Sequence, residues 1–236
     1  MAMSGTAGTT KLRGRIDAGF EAPARARLEG IAPFGKPVFI LVADGHRGTL
    51  VLPREDRVLR DAPPDEIIEA LAGVRLGPDG LRTVVSGCGP TVAAPTDGRT
   101  FANGWMAVSL PGGPVYLRRN AGAWEVAAAT SGPVTVMYAD YASGRPSTIR
   151  LRAQSQGRAS ADLTLRLSDV EINAPLDPKT FEVDLPAHPV PLTLDELRRA
   201  GPLGGESAGV TTISRGARLT TFSRSEGDRP RQPHRE

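Results

Sequence analysis

The sequence predicts a mostly antiparallel β protein, with two short helices set between two runs of strands. Three observations carry this. Apolar and polar residues alternate with period two over much of the chain, most clearly Leu163, Leu165 and Leu167 against Thr164, Arg166 and Ser168. Turn-forming clusters such as Pro111-Gly112-Gly113, Asn120-Ala121-Gly122 and Ser131-Gly132-Pro133 recur at about 8–12-residue spacing. Gly and Pro number 27 and 21, and a helical bundle does not tolerate that density, because Pro removes a hydrogen-bond donor and Gly raises the entropy cost of ordering.

The elements follow in order. Residues 1–10 are small and polar and read as a disordered N-terminal segment. From Lys11, Leu12, Ile16 and Phe20 alternate with charged residues, and Ala24, Ala26 and Leu28 alternate with Arg25, Arg27 and Glu29. These are two half-buried strands. The continuous apolar run 38–43 is a more buried strand, and strands at 49–52 and 57–60 flank a break at 53–56. The period then changes. Ile67, Ile68, Leu71 and Val74 share a helical face after Pro63-Pro64, and Leu81, Val84, Val85 and Cys88 repeat that spacing after Pro78. Helices are expected over 63–73 and 78–87. Residues 89–103 read as a loop. Strands resume at 105–110, 115–119, 124–129, 134–138, 148–153 and 161–170, and a short one is expected at 181–185. Thr193-Leu194-Asp195-Glu196 fits a capping box that starts a short helix ending at Gly201. The expected organisation is therefore a folded domain over 11–186, a short helix and linker over 187–205, and a disordered basic tail over 206–236.

Charge is uneven. The chain has 29 Lys and Arg against 26 Asp and Glu. Six Arg, at 215, 218, 224, 229, 231 and 235, face only Glu226, Asp228 and Glu236 in the tail, which leaves 23 of each sign over residues 1–206. A neutral body argues against a nucleic-acid partner. No stretch approaches 18 apolar residues, so no transmembrane helix is expected. Met1–Thr10 lacks the apolar core of an export signal.

No constellation points to catalysis, a metal or a cofactor. Gly205-Glu206-Ser207-Ala208-Gly209 fits the G-x-S-x-G nucleophile elbow, and Asp228 and His234 follow in hydrolase order. No apolar strand precedes it and no oxyanion-hole element is present, so an esterase using Ser207 is a remote alternative. Cys88 follows a helix C-terminus, where the dipole disfavours a thiolate. His46, His188 and His234 stand far apart in sequence. Glu55-Asp56 and Asp65-Glu66 suit a turn and a helix start. By periodicity alone, the strands and helices form either a solid α+β core or a sheet curled round an apolar cavity with the helices as a lid.

The order of the pieces resembles a known family. Leu12-Arg13-Gly14-Arg15, a second strand, Ala32-Pro33-Phe34-Gly35, and an apolar strand ending Ala43-Asp44-Gly45 are similar to LolB, the outer-membrane lipoprotein receptor. The likeness runs over about residues 11–186 and includes the strand, helix, helix, meander order after residue 46. LolA, the periplasmic carrier, is the sister family with the same fold. The resemblance implies a half-open antiparallel β-barrel of about eleven strands with a short helical lid. It implies acyl-chain binding without catalysis or cofactor, by a monomer at the periplasmic face of the outer membrane. The expected partners are acylated lipoproteins or lipid, a LolA-like carrier and the membrane surface.

On that resemblance, Ile67, Ile68, Leu71, Leu81, Val84 and Val85 form the inner face of the lid, and Leu28, Phe39, Leu41 and Trp105 the barrel wall. Pro33, Phe34 and Gly35 occupy the slot of a membrane-inserting loop, where LolB carries Leu. A Pro-x-Gly turn projects its central side chain outward, and Lys36 beside it suits anionic headgroups. LolB is anchored by an acylated N-terminal Cys. Cys88 is internal and cannot serve, so the export segment is expected to be missing from this sequence or the protein to be a soluble variant. A LolA-like carrier or a lipoprotein sensor, and a solid-cored interaction module, are the alternatives.

Overall fold

The computed structural model describes residues 1–89 and 94–202. The strands before the helices are β1 (Ala2–Ala7), β2 (Thr10–Glu21), β3 (Arg25–Ile31), β4 (Phe39–Asp44), β5 (Arg47–Leu52) and β6 (Arg57–Ala62). Helices α1 (Pro64–Ala72) and α2 (Pro78–Val85) follow. Then come β7 (Asp97–Phe101), β8 (Trp105–Leu110), β9 (Gly113–Asn120), β10 (Ala123–Ser131), β11 (Val134–Ala142), β12 (Arg145–Ser155) and β13 (Arg158–Arg166). The two-residue β14 (Val190–Pro191) and α3 (Leu194–Ala200) come last.

The fourteen strands of the described residues form one sheet, in the order β14-β6-β5-β4-β3-β2-β1-β13-β12-β11-β10-β9-β8-β7. Two meanders, β1 to β6 and β7 to β13, are joined where β1 pairs antiparallel with β13. Among the described residues only β14 pairs parallel, with β6. The end strands β7 and β14 do not pair with each other, so the sheet is open. It exceeds the expected eleven strands.

The N-terminal segment corrects the expectation of disorder over 1–10. β1 lies between β2 and β13 and pairs with both along its length. Apart from Met3 its residues are too small to show an amphipathic pattern, and the backbone ladder on both sides orders them instead. Gly5 is required there: its φ is 145°, and a Cβ would stand 2.1 Å from the Asp162 carbonyl oxygen.

The core lies on one face of the sheet, the front, where the helices sit. Ile16, Leu28, Leu41 and Leu50 pack with Ile67 and Ile68 of α1 and Leu197 of α3. Leu12, Val136, Ile149, Leu151 and Leu163 pack with Val84 of α2. Leu81, Met1 and Met3 touch both groups. Helix α1 lies close on β5, since a Cβ on Gly48 would meet Ile67 Cδ1 at 3.0 Å.

Residues after β13 depart from expectation. The strand predicted to 170 ends at Arg166, and 181–185 is no strand: a 3-10 turn, Pro178–Phe181, stands at its start. This segment crosses the back of β3, where Arg27 donates to the carbonyls of Thr180 and Glu182 at 3.4 and 2.9 Å and Arg25 lies 4.3 Å over the Phe181 ring. It then covers the β6 edge as β14 and turns onto the front face as α3. The capping box is present: Thr193 Oγ1 accepts from the Glu196 N–H at 3.2 Å, and the Glu196 carboxylate accepts from the Thr193 N–H at 2.8 Å. These bonds hold the Glu196 carboxyl below the usual carboxylate range. Residues 187–202 thus belong to the folded unit rather than to a linker. The predicted tail 206–236 lies outside the described residues.

Leu197 is 2% exposed. Leu197→Ala is expected to lower the unfolding free energy by about 2–5 kcal/mol and Thr193→Ala by about 1 kcal/mol, both read from urea melts.

Candidate lipid-binding site

Helix α1 folds as read. Pro64 opens it, Asp65 and Glu66 fill its first turn, and Gly73 ends it in the left-handed region. Its apolar stripe places Ile67, Ile68 and Leu71 against Leu28 and Leu41 of the sheet, and Phe39 and Leu81 pack against that group. Val84 belongs to the neighbouring group, and Val85 is half-buried on α2. The opposite side of α1 is polar: Glu66 accepts from Arg75 at 3.1 Å and from Arg198 of α3 at 2.6 Å.

The end of α2 is clamped as well. The Gly89 N–H, in the turn after it, donates to the Tyr138 hydroxyl of β11 at 3.0 Å; farther along β11 the Tyr141 hydroxyl donates to the Val126 carbonyl of β10 at 2.6 Å. Burial raises the pKa of both phenols, Tyr141 to about 12. Both therefore stay neutral near pH 7, and neither bond is a pH switch.

The space beneath α1 is filled. Ile67 is 0% exposed. A hollow of about 130 Å³ lies at α3 between Leu52, Leu192, Leu197 and Pro202, and a shallow depression of about 580 Å³ lies over Phe101, Trp105 and Tyr116. Neither is beneath α1 or α2. Ile68 and Leu71 are core residues in this structure, so charging them tests folding and not binding.

Trp105 is a correction. The register pairs Met106 with Leu117 and Val108 with buried Val115 on the front face. Trp105 alternates with them and lies on the back, with Phe101 and Tyr116, instead of in a barrel wall. The run Trp105-Met106-Ala107-Val108 is apolar in both phases, so period two does not choose its face.

Beyond α2 the front face is only partly covered. Fourteen strands at about 4.8 Å spacing would be roughly 60 Å wide if flat, and three helices about 10 Å across do not span that. Met106, Leu117 and Val126 form a row across β8, β9 and β10 and are half-buried. Toward the helices the strip ends at buried Val115 and Ala129. Away from them it ends at exposed Trp124 and Arg119, which pair with each other. Sequence reasoning placed these residues in strands but missed them as a site, because coverage is a tertiary property. The bordering strand β7 was missed too, since Asp97–Phe101 is exposed throughout.

Phe34 is 90% exposed. Its loop joins β3 to β4 and is braced from behind: Lys36 Nζ donates to the Pro53 carbonyl at 3.0 Å and lies 3.6 Å from Asp56, and Arg54 donates to the Lys36 carbonyl at 3.3 Å. Gly35 supplies a φ of 78° between Phe34 and Lys36. Phe34 does not fold back onto the sheet. Lys36 reaches toward the β5–β6 turn, away from the place beside Phe34 that headgroup contact needs.

A search of the solved structures finds a similar chain, a LolA superfamily protein from Nitrosomonas europaea. It aligns over 77% of this chain and 87% of its own, with a TM-score of 0.51 and 12% sequence identity. The chain has the LolA-type fold. At that identity the likeness is one of fold alone. No protein-family profile matches the sequence, and no curated protein matches it.

Among the described residues, no cluster of three or more His, Cys, Asp or Glu is placed to hold a metal ion. Cys88 is exposed in the turn after α2. Gly205 to Gly209 with Ser207, and Asp228 and His234, lie outside the described residues. An environment-sensitive apolar dye is expected to bind the β8–β10 strip. The double variant Leu117→Gln, Val126→Gln should lose most of that fluorescence while keeping the wild-type circular dichroism spectrum.

Proposed function

We propose that this protein is a non-enzymatic acyl-chain binder that receives lipoproteins at the periplasmic face of the outer membrane. The observation that carries the reading is the apolar strip of Met106, Leu117 and Val126, left half-covered beside the helices of a LolA-type fold. Water charges about 0.8 kcal/mol for each exposed CH₂ of an acyl chain, and a non-directional apolar strip offsets part of that without selecting one chain. Arg119 and Trp124 at its outer end suit the boundary between acyl chain and polar headgroup.

The exposed Phe34 between Pro33 and Gly35 favours a LolB-like receptor that touches the membrane over a LolA-like soluble carrier, since an apolar side chain on a braced turn is suited to the interface. The filled core beneath α1 favours a second reading, a solid-cored module that binds a partner through its surface.

Titration of the full chain with a fluorescent diacylated lipopeptide, competed by unlabelled lipopeptide, separates the two. Saturable, competable binding is expected, weakened at least about tenfold in Leu117→Asp, Val126→Asp. Phe34→Ser should keep the affinity and slow delivery of the lipopeptide to vesicles. Absence of binding by folded, lipid-free protein would leave the solid-cored module.

A further inference from the structure

The charge balance of residues 1–206 hides a concentrated field on the back of the sheet. Lys11, Arg13 and Arg15 project from β2 on the side opposite buried Leu12 and Ile16. Arg150 and Arg152 project from β12 opposite Ile149 and Leu151, and Arg166 from β13 opposite Leu165. The register brings them together. Arg13 and Arg150 share one row through Ser4 and Thr164, and Arg15 and Arg166 share the next through Ala2.

Between the two basic ridges β1 carries only Ala2, Ser4 and Thr6 on this face, so the cations border a shallow trough of small residues. Asp162 enters the group and pairs with Arg150 at 2.8 Å and Arg152 at 3.2 Å, and Asp17, opposite Glu29, borders it beyond Arg15 on the same face of β2. Among the described residues Lys11, Arg13, Arg15 and Arg166 have no carboxylate partner within ion-pair distance. Nor is the patch remote from the Phe34 loop. β3 ends at Ile31 opposite Arg15, and the loop leaves the sheet there.

We infer that the back of β2, β1, β13 and β12 is a docking face for an anionic lipid surface, with Phe34 at its margin. Clustered like charges on one face of a body whose charges balance overall focus the potential there and orient the molecule as it approaches a negative plane. An extended sheet face suits a plane better than a groove does, and the trough lets headgroup phosphates approach both ridges. The inference adds a specific surface to the membrane contact proposed above and is independent of the acyl-chain strip.

The test is flotation of the full chain, without lipopeptide, on vesicles of phosphatidylcholine with phosphatidylglycerol and of phosphatidylcholine alone. Binding is expected only to the anionic vesicles. It should fade between about 0.01 M and 1 M salt, as the Debye length falls from about 30 Å to about 3 Å. The triple variant Arg13→Thr, Arg15→Thr, Arg166→Thr should bind at least about tenfold more weakly, and the matching triple Lys variant should bind like the wild type, because charge is what the plane reads.

Unchanged binding by the Thr variant, with its melting curve intact, would overturn the inference and assign membrane attraction elsewhere in the chain. If that variant does not fold, the Lys variant and the salt profile still decide: salt-insensitive binding overturns it. Binding of the wild type to duplex DNA but not to anionic vesicles would make the face a nucleic-acid surface and also overturn it. Lipopeptide affinity in the absence of vesicles reports on the strip alone, so failure of the docking face and failure of the acyl-binding reading are separate results.

Discussion

The β1–β13 pairing is the contact on which the rest of the architecture depends. It joins the chain's first strand to the last strand of the second meander, and without it there would be two separate sheets. Once joined, the sheet has a continuous front face, and α1 and α2 fall across the seam because they lie between the meanders in sequence. Leu81 touches core residues from both halves for that reason. The seam also makes the back face. The small side chains of β1 separate the basic residues of β2 from those of β12 and β13. Gly5, where a Cβ would collide with the β13 backbone, ties the local geometry of β1 to both consequences.

A sheet this wide raises a burial problem that its helices solve only in part. The stripes of α1 and α2 fill the space above β1–β5 and β11–β13, and α3 with Leu197 completes the side near β6. Nothing comparable reaches β8–β10 among the described residues, so the same alternation that builds a core on one half leaves an accessible apolar strip on the other. The back of β3 is treated differently. There the segment after β13 supplies Phe181 under Arg25 and carbonyls for Arg27, and the chain goes on to shield the β6 edge with β14. One edge of the sheet is thereby covered, and the other, β7, carries Asp97 and Arg99, which discourage edge-to-edge pairing.

How much of this was legible follows from which signals are local. The helices were, because the change from period two to period 3.6 is bracketed by Pro64, Gly73 and Pro78. The packing of Ile67, Ile68 and Leu71 against Leu28 and Leu41 was legible as one apolar face meeting another. β1 was not, since Ala, Ser, Gly and Thr show no amphipathic contrast and its order comes from neighbours far along the chain. The face that Trp105 takes was not, because its strand is apolar in both phases. The outward turn at Phe34 was legible from Pro33 and Gly35, whereas the bracing of Lys36 and Arg54 across to the β5–β6 turn is tertiary. So too is the exposure of Leu117 and Val126, which depends on where the helices stop.

The filled core and the half-covered strip together constrain how an acyl chain would be held on the proposed function. Displacing α1 would expose Ile67, Ile68 and Leu71, and full exposure of such side chains costs about 1.5–3 kcal/mol each. It would also release the Glu66 ion pairs with Arg75 and Arg198. The strip needs no such opening. A chain lying on Met106, Leu117 and Val126 gains contact along one side and keeps the other in water, so it recovers only part of the transfer energy that a bilayer supplies in full. On that reading, incomplete burial would set the direction of transfer, with the acyl chain held against water but yielded to a membrane. Trp124 and Arg119 at the open end would then place the headgroup boundary where the acyl chain leaves.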